Sequence, residues 1–224
     1  MKEYRIQDKK ITIYLASAHP APVIYLNTVI EEGPTIYDIL KNSTAANFTL
    51  VTISGLDWNH DMALWDCPAI AKNIPPCTGG ALEYLTFLQD KVIPTVEKEI
   101  RIVPMWRGIA GYSLAGLFAL YTLYQADVFS RAACISGSLW FPGFREYVFS
   151  QKTKGNPEHI YFSLGNKENR TRNPYLKTVE ENTKVIEEYF RKSGVDTIFQ
   201  LNPGNHYNHA PERTAAGIQW ILER

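Results

Sequence analysis

The sequence has few cysteines, no excess of either charge and no long apolar run. The three cysteines, Cys67, Cys77 and Cys134, are an odd number without C-x-x-C spacing, which argues against a disulfide framework and against a zinc site. The 23 Lys and Arg residues balance 23 Asp and Glu residues, so no overall field attracts nucleic acid or an acidic membrane surface. We therefore expect a small partner that is uncharged or charged only locally.

Targeting and membrane signals are also missing from the sequence. No stretch reaches the roughly 18 consecutive apolar residues of a membrane span, and the first ten residues, MKEYRIQDKK, lack the apolar centre of a signal peptide. Together with free thiols, this predicts a cytoplasmic location. A chain of 224 residues with 45% hydrophobic residues suits one globular domain over residues 1–224, and we find no internal repeat or low-complexity segment.

Short β-type runs alternate with helical patterns along the chain, which predicts an α/β fold with a mostly parallel central sheet and helices on both faces. About seven strands are expected, at 9–15, 22–28, 48–55, 107–113, 130–138, 159–166 and 196–202. The first two could form an antiparallel hairpin at one edge. Helices are expected at 34–42, 79–100, 114–125, 175–194 and 211–224, with Pro94 kinking or splitting the second.

Ser113 lies at the junction between a predicted strand, RGIAG, and a predicted helix, LAGLFALYTLYQ. Small residues surround it: Gly111 before it, and Ala115 and Gly116 after it. Such a junction tolerates a strained backbone and a close helix, and it lifts the hydroxyl to the carboxyl edge of the sheet, where parallel α/β sheets bind ligands. We therefore interpret Ser113 as a nucleophile, with the backbone N–H of Leu114 placed to bind an oxyanion.

A serine nucleophile needs an imidazole base, and five histidines compete for this role. His206 follows the last predicted strand, and Gly204 leaves its loop room to turn toward the serine; His209 is its rival, nearer the last helix. His19 and His159 are interpreted as structural or surface residues. His60 precedes Ser113, whereas the expected chain order is serine, acid, histidine.

The acid should follow the strand HIYFSL, in the loop GNKENRTRN, whose single carboxylate is Glu168. Asp196 precedes a strand and Asp127 ends a helix, so both are expected at the opposite edge. A Ser–His dyad without an acid stays an alternative, and so does a surface role for Glu168.

These segments resemble the esterase D-like group of α/β-hydrolases, a family that includes S-formylglutathione hydrolases, feruloyl and acetylxylan esterases and enterochelin (siderophore) esterases. The resemblance covers nearly the whole chain and is carried by PVIYLNT, GLDWNHDMALWD, AGYSLAG, ISGSLWFPGF, YFSLGNKE and PGNHYNHAPERTAAGIQWIL. It implies the α/β-hydrolase fold, with Ser113, Glu168 and His206 as nucleophile, acid and base.

The resemblance also implies a second oxyanion donor, a backbone N–H from Asn27 or Thr28. The sequence departs from the family pattern at two positions. Ala115 replaces the commoner Gly, and GNKE stands where many relatives carry a Gly–Asp pair, so that Asn166 leaves the acid role to Glu168.

The substrate is expected to be a small-molecule ester, hydrolysed without cofactor or metal. The chain is too short for a large helical lid, so an open cleft is predicted. Aromatic and polar side chains after strand ends could line this cleft: Trp58, Asn59, Trp65, Tyr112 and Trp140. Alternatives are a siderophore trilactone esterase, an acyltransferase and a non-catalytic binding module. A homodimer stays open, and neither nucleic acid nor membrane is expected as a partner.

Overall fold

The structure is a computed structural model that describes residues 1–70, 72, 74–101 and 103–224. Its main sheet has eight strands in the order β1-β2-β4-β3-β7-β8-β9-β10, and a two-stranded sheet pairs β5 with β6. The strands are β1 (Lys2–Ile6), β2 (Lys9–Tyr14), β3 (Val23–Asn27), β4 (Thr49–Ser54), β5 (Asp66–Cys67), β6 (Cys77–Thr78), β7 (Arg107–Tyr112), β8 (Arg131–Ile135), β9 (His159–Gly165) and β10 (Asp196–Asn202).

The helices cover both faces of the main sheet. They are α1 (Gly33–Ser43), α2 (Trp58–Asp61), α3 (Ala81–Phe87), α4 (Ile93–Ile100), α5 (Leu114–Gln125), α6 (Phe144–Ser150), α7 (Val179–Lys192) and α8 (Ala210–Leu222). Apolar side chains of α1 and α8 pack on one face, and those of α3, α4, α5, α6 and α7 pack on the other. A π-helical segment, Leu88–Val92, joins α3 to α4.

The sheet is mostly parallel, as predicted, with eight strands instead of about seven. Only the pairs β1–β2 and β2–β4 are antiparallel in the main sheet of the described residues. The added strand is β1, which the sequence did not suggest because its residues, KEYRI, are mostly polar and lie largely exposed at the edge. The short helix α6 was also not predicted.

The predicted hairpin between residues 9–15 and 22–28 is wrong. β3 pairs in parallel with β4 on one side and β7 on the other, so β4 separates it from β2. The physical reason is burial: all five residues of β3 are buried, and a strand buried on both faces belongs in the interior of a parallel sheet. The hairpin at this edge is formed by β1 and β2 instead.

Pro94 interrupts its helix, as predicted. The π-helical segment ends at Val92, and α4 begins with Pro94 in its first turn. Proline has no N–H for the preceding turn and its ring crowds that turn, so widening of the helix just before it relieves the conflict. Burial of Val92, Ile93 and Val96 keeps the two helical parts against the sheet.

Candidate active site

Ser113 sits on a sharp turn between β7 and α5. Its backbone has φ 61° and ψ −123°, a positive φ that residues with a Cβ rarely adopt. The turn is possible because its neighbours lack bulk: a Cβ on Gly111 would lie 2.4 Å from the backbone carbon of Ala115, and one on Gly116 would lie 2.9 Å from the carbonyl oxygen of Gly111. The strain holds the serine hydroxyl at the carboxyl edge of the sheet.

His206 reaches Ser113 from the loop between β10 and α8. Its Nε2 lies 3.0 Å from the Ser113 Oγ, across 93 residues of sequence. Two neighbours fix the loop: the Tyr112 hydroxyl donates to the His206 carbonyl at 2.7 Å, and Gly204 turns the chain with φ 103°. The serine hydroxyl and the imidazole are therefore within hydrogen-bond distance.

Glu168 lies behind His206, three residues beyond the end of β9. Its Oε2 is 2.7 Å from the His206 Nδ1, and its side chain is only 4% exposed. A carboxylate only accepts hydrogen bonds, so Nδ1 carries the proton and Nε2 is left to accept from Ser113. The Glu168 Oε1 accepts from the Gly165 N–H at 2.5 Å and the Ser136 hydroxyl at 2.8 Å.

The electrostatics keep Glu168 ionised. Burial by itself would raise the pKa of this carboxyl group, but the hydrogen bond and charge of His206, the hydrogen bond from Arg213 and the Gly165 N–H together lower the pKa to about 2. Arg213 Nη2 lies 2.8 Å from Glu168 Oε1, and both side chains are 4% exposed. At neutral pH the group behind the imidazole is therefore an anion.

The oxyanion donors predicted from the sequence are corrected in part. Leu114 is the first residue of α5, where the backbone N–H has no partner within the helix. The Thr28 N–H, however, donates to the Ile53 carbonyl at 2.9 Å, and Asn27 is paired inside the sheet with both β4 and β7. Val29 is the first residue after β3 that is outside these hydrogen bonds. It borders a cavity at Ser113 and is 53% exposed.

Two cavities meet at Ser113 and His206. The larger, about 400 Å³, has mostly apolar walls, formed among others by Trp58, Ile70 and Trp140. The smaller, about 340 Å³, lies toward the end of β3 and is bordered by Val29, Tyr112 and Tyr207. An ester carbonyl bound at Ser113 thus has space for a group on either side.

Four of the five predicted cleft residues border these cavities. Trp58, Asn59 and Trp140 border the larger one, and Tyr112 borders the smaller one. Trp65 does not border either cavity, so the prediction for this residue is wrong. Its indole N–H donates to the Pro142 carbonyl at 3.0 Å and its ring packs against Phe141, which makes it a packing residue.

The remaining histidines lie away from the pair formed by Ser113 and His206. The His60 ring packs against Gly80, and its Nδ1 lies 2.9 Å from the Thr78 Oγ1. His159 pairs with Asp196 at 2.9 Å where β9 and β10 begin, at the opposite edge of the sheet, as expected. His209 is exposed at the start of α8, and His19 is exposed in the loop before β3.

Two residues of this site were not predicted from the sequence. Arg213 and Ser136 both contact the Glu168 carboxylate, and Ser136 has a positive φ of 44° directly after β8. The strand-end position of Ser136 is a signal that could have been used, because it resembles that of Ser113. Among the described residues, no cluster of three or more His, Cys, Asp or Glu side chains could hold a metal ion.

A family model described as "Putative esterase" matches residues 9–210 of the chain. The chain belongs to this esterase family. This esterase hydrolyses carboxylic esters, and its structural neighbours share its α/β-hydrolase fold. In the part of the chain that the structure describes, no helix is both long and apolar enough to cross a membrane.

Several known proteins are similar to this esterase over nearly its whole length. The "Uncharacterized protein YbbA" of Bacillus subtilis (strain 168) is 19% identical over 99% of this chain and 95% of its own length. Siderophore hydrolase EstB from Aspergillus nidulans is 17% identical, with a TM-score of 0.80 over 99% of this chain and 94% of its own. An IroE-like serine hydrolase from Shewanella oneidensis is 18% identical, with a TM-score of 0.78 over 99% of this chain and 79% of its own. Because the two solved structures are less than 25% identical to this chain, their similarity establishes its fold alone.

Proposed function

We propose that Ser113, His206 and Glu168 are the catalytic triad of this esterase. The observation that carries the proposal is the continuous chain of short contacts, 3.0 Å from Ser113 Oγ to His206 Nε2 and 2.7 Å from His206 Nδ1 to Glu168 Oε2. The positive φ of Ser113 supports it further, because backbone strain is typical of a nucleophile elbow. The triad follows the order serine, acid, histidine along the chain.

In the proposed mechanism, Ser113 Oγ attacks the ester carbonyl carbon while His206 Nε2 takes the hydroxyl proton. The tetrahedral oxyanion is stabilised by backbone N–H groups. His206 then returns the proton to the departing alcohol, which leaves an acyl group on Ser113. A water molecule, deprotonated by His206, attacks the acyl carbon, and the carboxylic acid product leaves with Ser113 reprotonated. Glu168 fixes the imidazole tautomer and stabilises the imidazolium in both halves.

We assign the two oxyanion donors to Leu114 and Val29. The Leu114 N–H stands at the start of α5, beside Ser113. For Val29, the support is elimination along β3: the N–H of Thr28 is already bonded to Ile53, and Val29 borders the cavity at Ser113 without a backbone acceptor among the described residues. Val29 thus takes the role that the family resemblance implies for Asn27 or Thr28.

The proposed substrate is an ester with bulky groups on both sides of the carbonyl. Cavities of about 400 and 340 Å³ on the two sides of Ser113 support it, as do the indole rings of Trp58 and Trp140 in the larger one. A narrower candidate is a siderophore ester, which the name of the Aspergillus nidulans neighbour supports.

The test is hydrolysis of p-nitrophenyl butyrate by the native chain, Ser113→Ala and Ser130→Ala. Ser130 precedes β8 at the opposite edge of the sheet, so its variant is the matched control. We expect Ser113→Ala to lower kcat by at least about 10³-fold and to abolish labelling by a fluorophosphonate probe, with Ser130→Ala unaffected. Labelling and turnover that persist in Ser113→Ala would refute the triad.

Two further assays distinguish between the alternative activities. Release of catechol fragments from enterobactin at a kcat/KM above that for p-nitrophenyl butyrate would support siderophore ester hydrolysis. Adding a primary alcohol to the assay separates hydrolysis from acyl transfer, because an acyltransferase would form a new ester faster than the free acid.

We also propose that residues 1–224 act as one domain in the cytoplasm, where Cys67, Cys77 and Cys134 stay free thiols. Sedimentation of the native chain tests for a homodimer.

A further inference from the structure

Arg213 is a buried cation within the site, in the first turn of α8. Its side chain is 4% exposed, although arginine almost never lies so deep without a specific partner. A buried ion pair is weak evidence for stability, because desolvation offsets its attraction. The position of Arg213 beside a proposed catalytic carboxylate therefore calls for a functional explanation.

The guanidinium contacts both the acid and the loop that carries the base. Its Nη2 donates to Glu168 Oε1 at 2.8 Å and to the Ser136 hydroxyl. Its Nη1 donates to the carbonyl of Asn205 at 3.2 Å and, at the longer distance of 3.5 Å, to that of Asn208. One planar group thus spans the carboxylate and two loop carbonyls on either side of His206.

These contacts leave one carboxylate oxygen for the imidazole. Glu168 Oε1 accepts from Arg213, Ser136 and the Gly165 N–H, whereas Oε2 accepts from His206. The guanidinium of Arg213 therefore fixes the rotation of the Glu168 carboxylate. It also holds the His206 loop at a fixed distance from that carboxylate. Arg213 does not touch Ser113 and borders neither cavity.

We propose that Arg213 is a positioning residue for the esterase reaction, which locks Glu168 and the His206 loop into one geometry and balances the charge of the carboxylate. The proposal rests on the proposed function, since it gives Arg213 its role through the triad. Without the guanidinium, Glu168 would lose one of the contacts that restrict its rotation, and its full negative charge would act on the imidazole.

The neighbouring titratable groups leave this effect visible in a pH profile. Besides Glu168 and His206, the titratable groups near the pair are Tyr112 from β7, Cys134 from β8, Tyr161 from β9, Tyr207 next to His206, Lys167 at the larger cavity and Glu32 at the smaller one. Burial raises the pKa of Tyr112, Cys134 and Tyr161, so none of these three changes charge between about pH 5 and 8. Burial also raises the pKa of Glu32, but every variant keeps this residue, so a difference in the acidic limb of kcat/KM between variants reports on the triad.

The experiment compares Arg213→Met, Arg213→Lys and the matched control Arg131→Met, with kcat normalised to fluorophosphonate-reactive sites. Arg131 is also buried and also binds α8, through the Ile221 carbonyl at 2.7 Å, but at the far end of that helix. We expect Arg213→Met to lower kcat by about 10–100-fold with KM changed less than about 2-fold. The acidic limb should move up by about 1 pH unit, because the uncompensated carboxylate favours the imidazolium.

Arg213→Lys should keep the limb near its native position, because the charge is retained, and should recover part of kcat. Arg131→Met should lower thermal stability without moving the limb. If Arg213 were merely structural, Arg213→Met would behave like Arg131→Met and would show the native pH profile once kcat is normalised to reactive sites. This result would overturn the proposal.

A double-mutant cycle with Glu168→Gln gives a second test that does not depend on the folding of Arg213→Met. The double variant lacks both buried charges, which is often tolerated where loss of one is not. Because Arg213 acts partly through Glu168 and partly through the Asn205 and Asn208 carbonyls, removing it from Glu168→Gln should lower kcat by several-fold less than removing it from the native chain. An undiminished loss of kcat there would contradict the proposal. The triad itself is tested separately by Ser113→Ala, so the two failures are distinguishable.

Discussion

Replacing Glu168 by Gln should change how stability depends on pH, because the carboxylate is buried and its pKa is low. Burial opposes ionisation, but the contacts with His206, Arg213 and the Gly165 N–H bring the pKa from 4.5 to about 2. A folded pKa of about 2 against an ordinary value of 4.5 corresponds to about 3 kcal/mol of folding free energy at neutral pH. Since the folded pKa is the lower one, this stability is complete above about pH 4.5 and is lost as the pH falls toward 2.

The loss can be worked out for an accessible pH range. Between pH 5 and 3, about 2 kcal/mol of the contribution from Glu168 should disappear as the unfolded chain takes up a proton that the folded chain does not. Glu168→Gln cannot titrate there, and Arg213 keeps its charge throughout. At neutral pH the variant should be less stable by about 3 kcal/mol, since it leaves the Arg213 charge without its carboxylate.

Urea unfolding followed by tryptophan fluorescence at pH 7, 5, 4 and 3 measures the difference in free energy between the two chains. We expect the gap between native chain and Glu168→Gln to narrow by about 2 kcal/mol from pH 5 to pH 3. Glu181→Gln, at a side chain that is 69% exposed, is the control and should show a gap near zero at every pH. A gap for Glu168→Gln that stays constant over this range would refute the reasoning on charge and burial.

Two substitutions and one alkylation experiment test the packing at Gly111, the reactivity of the Cys77 thiol and the buried ion pair of Lys9. Gly111→Ala should destabilise the fold by about 2–3 kcal/mol in thermal unfolding, because the added Cβ meets the backbone of Ala115 at 2.4 Å as well as its Cβ at 2.5 Å. Complete rescue by Ala115→Gly would contradict a clash with the backbone. Burial raises the pKa of the Cys77 thiol to about 11, so iodoacetamide at pH 7.5 should alkylate it about 100-fold more slowly than a free cysteine in peptide mapping. Lys9→Met should cost about 3 kcal/mol in urea unfolding, because Asp61, 2.9 Å from Lys9 Nζ, would stay buried without its cation; an unchanged midpoint would exclude that pairing as a source of stability.

The local parts of the site could be predicted because they depend on neighbours in sequence. The turn at Ser113 needs small residues within three positions, and Gly111 and Gly116 are visible in the sequence. The apolar run after Ser113 identifies a helix buried against the sheet, and α5 begins and ends at the predicted residues. The positions of Glu168 and His206 follow from the rule that parallel strands share one functional edge.

The remaining parts depend on register and on distant partners, which a single sequence does not specify. Thr28 and Val29 differ only by one position, yet the ladder with β4 uses the N–H of Thr28. Trp65 follows the same kind of loop as Trp58, but its N–H finds the Pro142 carbonyl, 77 residues away. The amphipathic pattern of α8 gives no reason to bury Arg213, because the reason is a carboxylate 45 residues earlier.

The acid position shows how this chain adjusts to its departure from the family pattern. At position 166, where the family resemblance implies an Asp, the Asn166 side chain accepts the Gly204 N–H at 3.1 Å and its backbone N–H donates to the Asn202 carbonyl at 2.8 Å, so that Asn166 ties β9 to the His206 loop. Glu168 stands two residues further on, in a turn closed by its own N–H on the Gly165 carbonyl at 3.1 Å. That turn folds the chain back, and the extra methylene of Glu over Asp adds reach toward the imidazole. In the proposed triad, the amide of Asn166 thus holds the loop and the carboxylate of Glu168 orients the base.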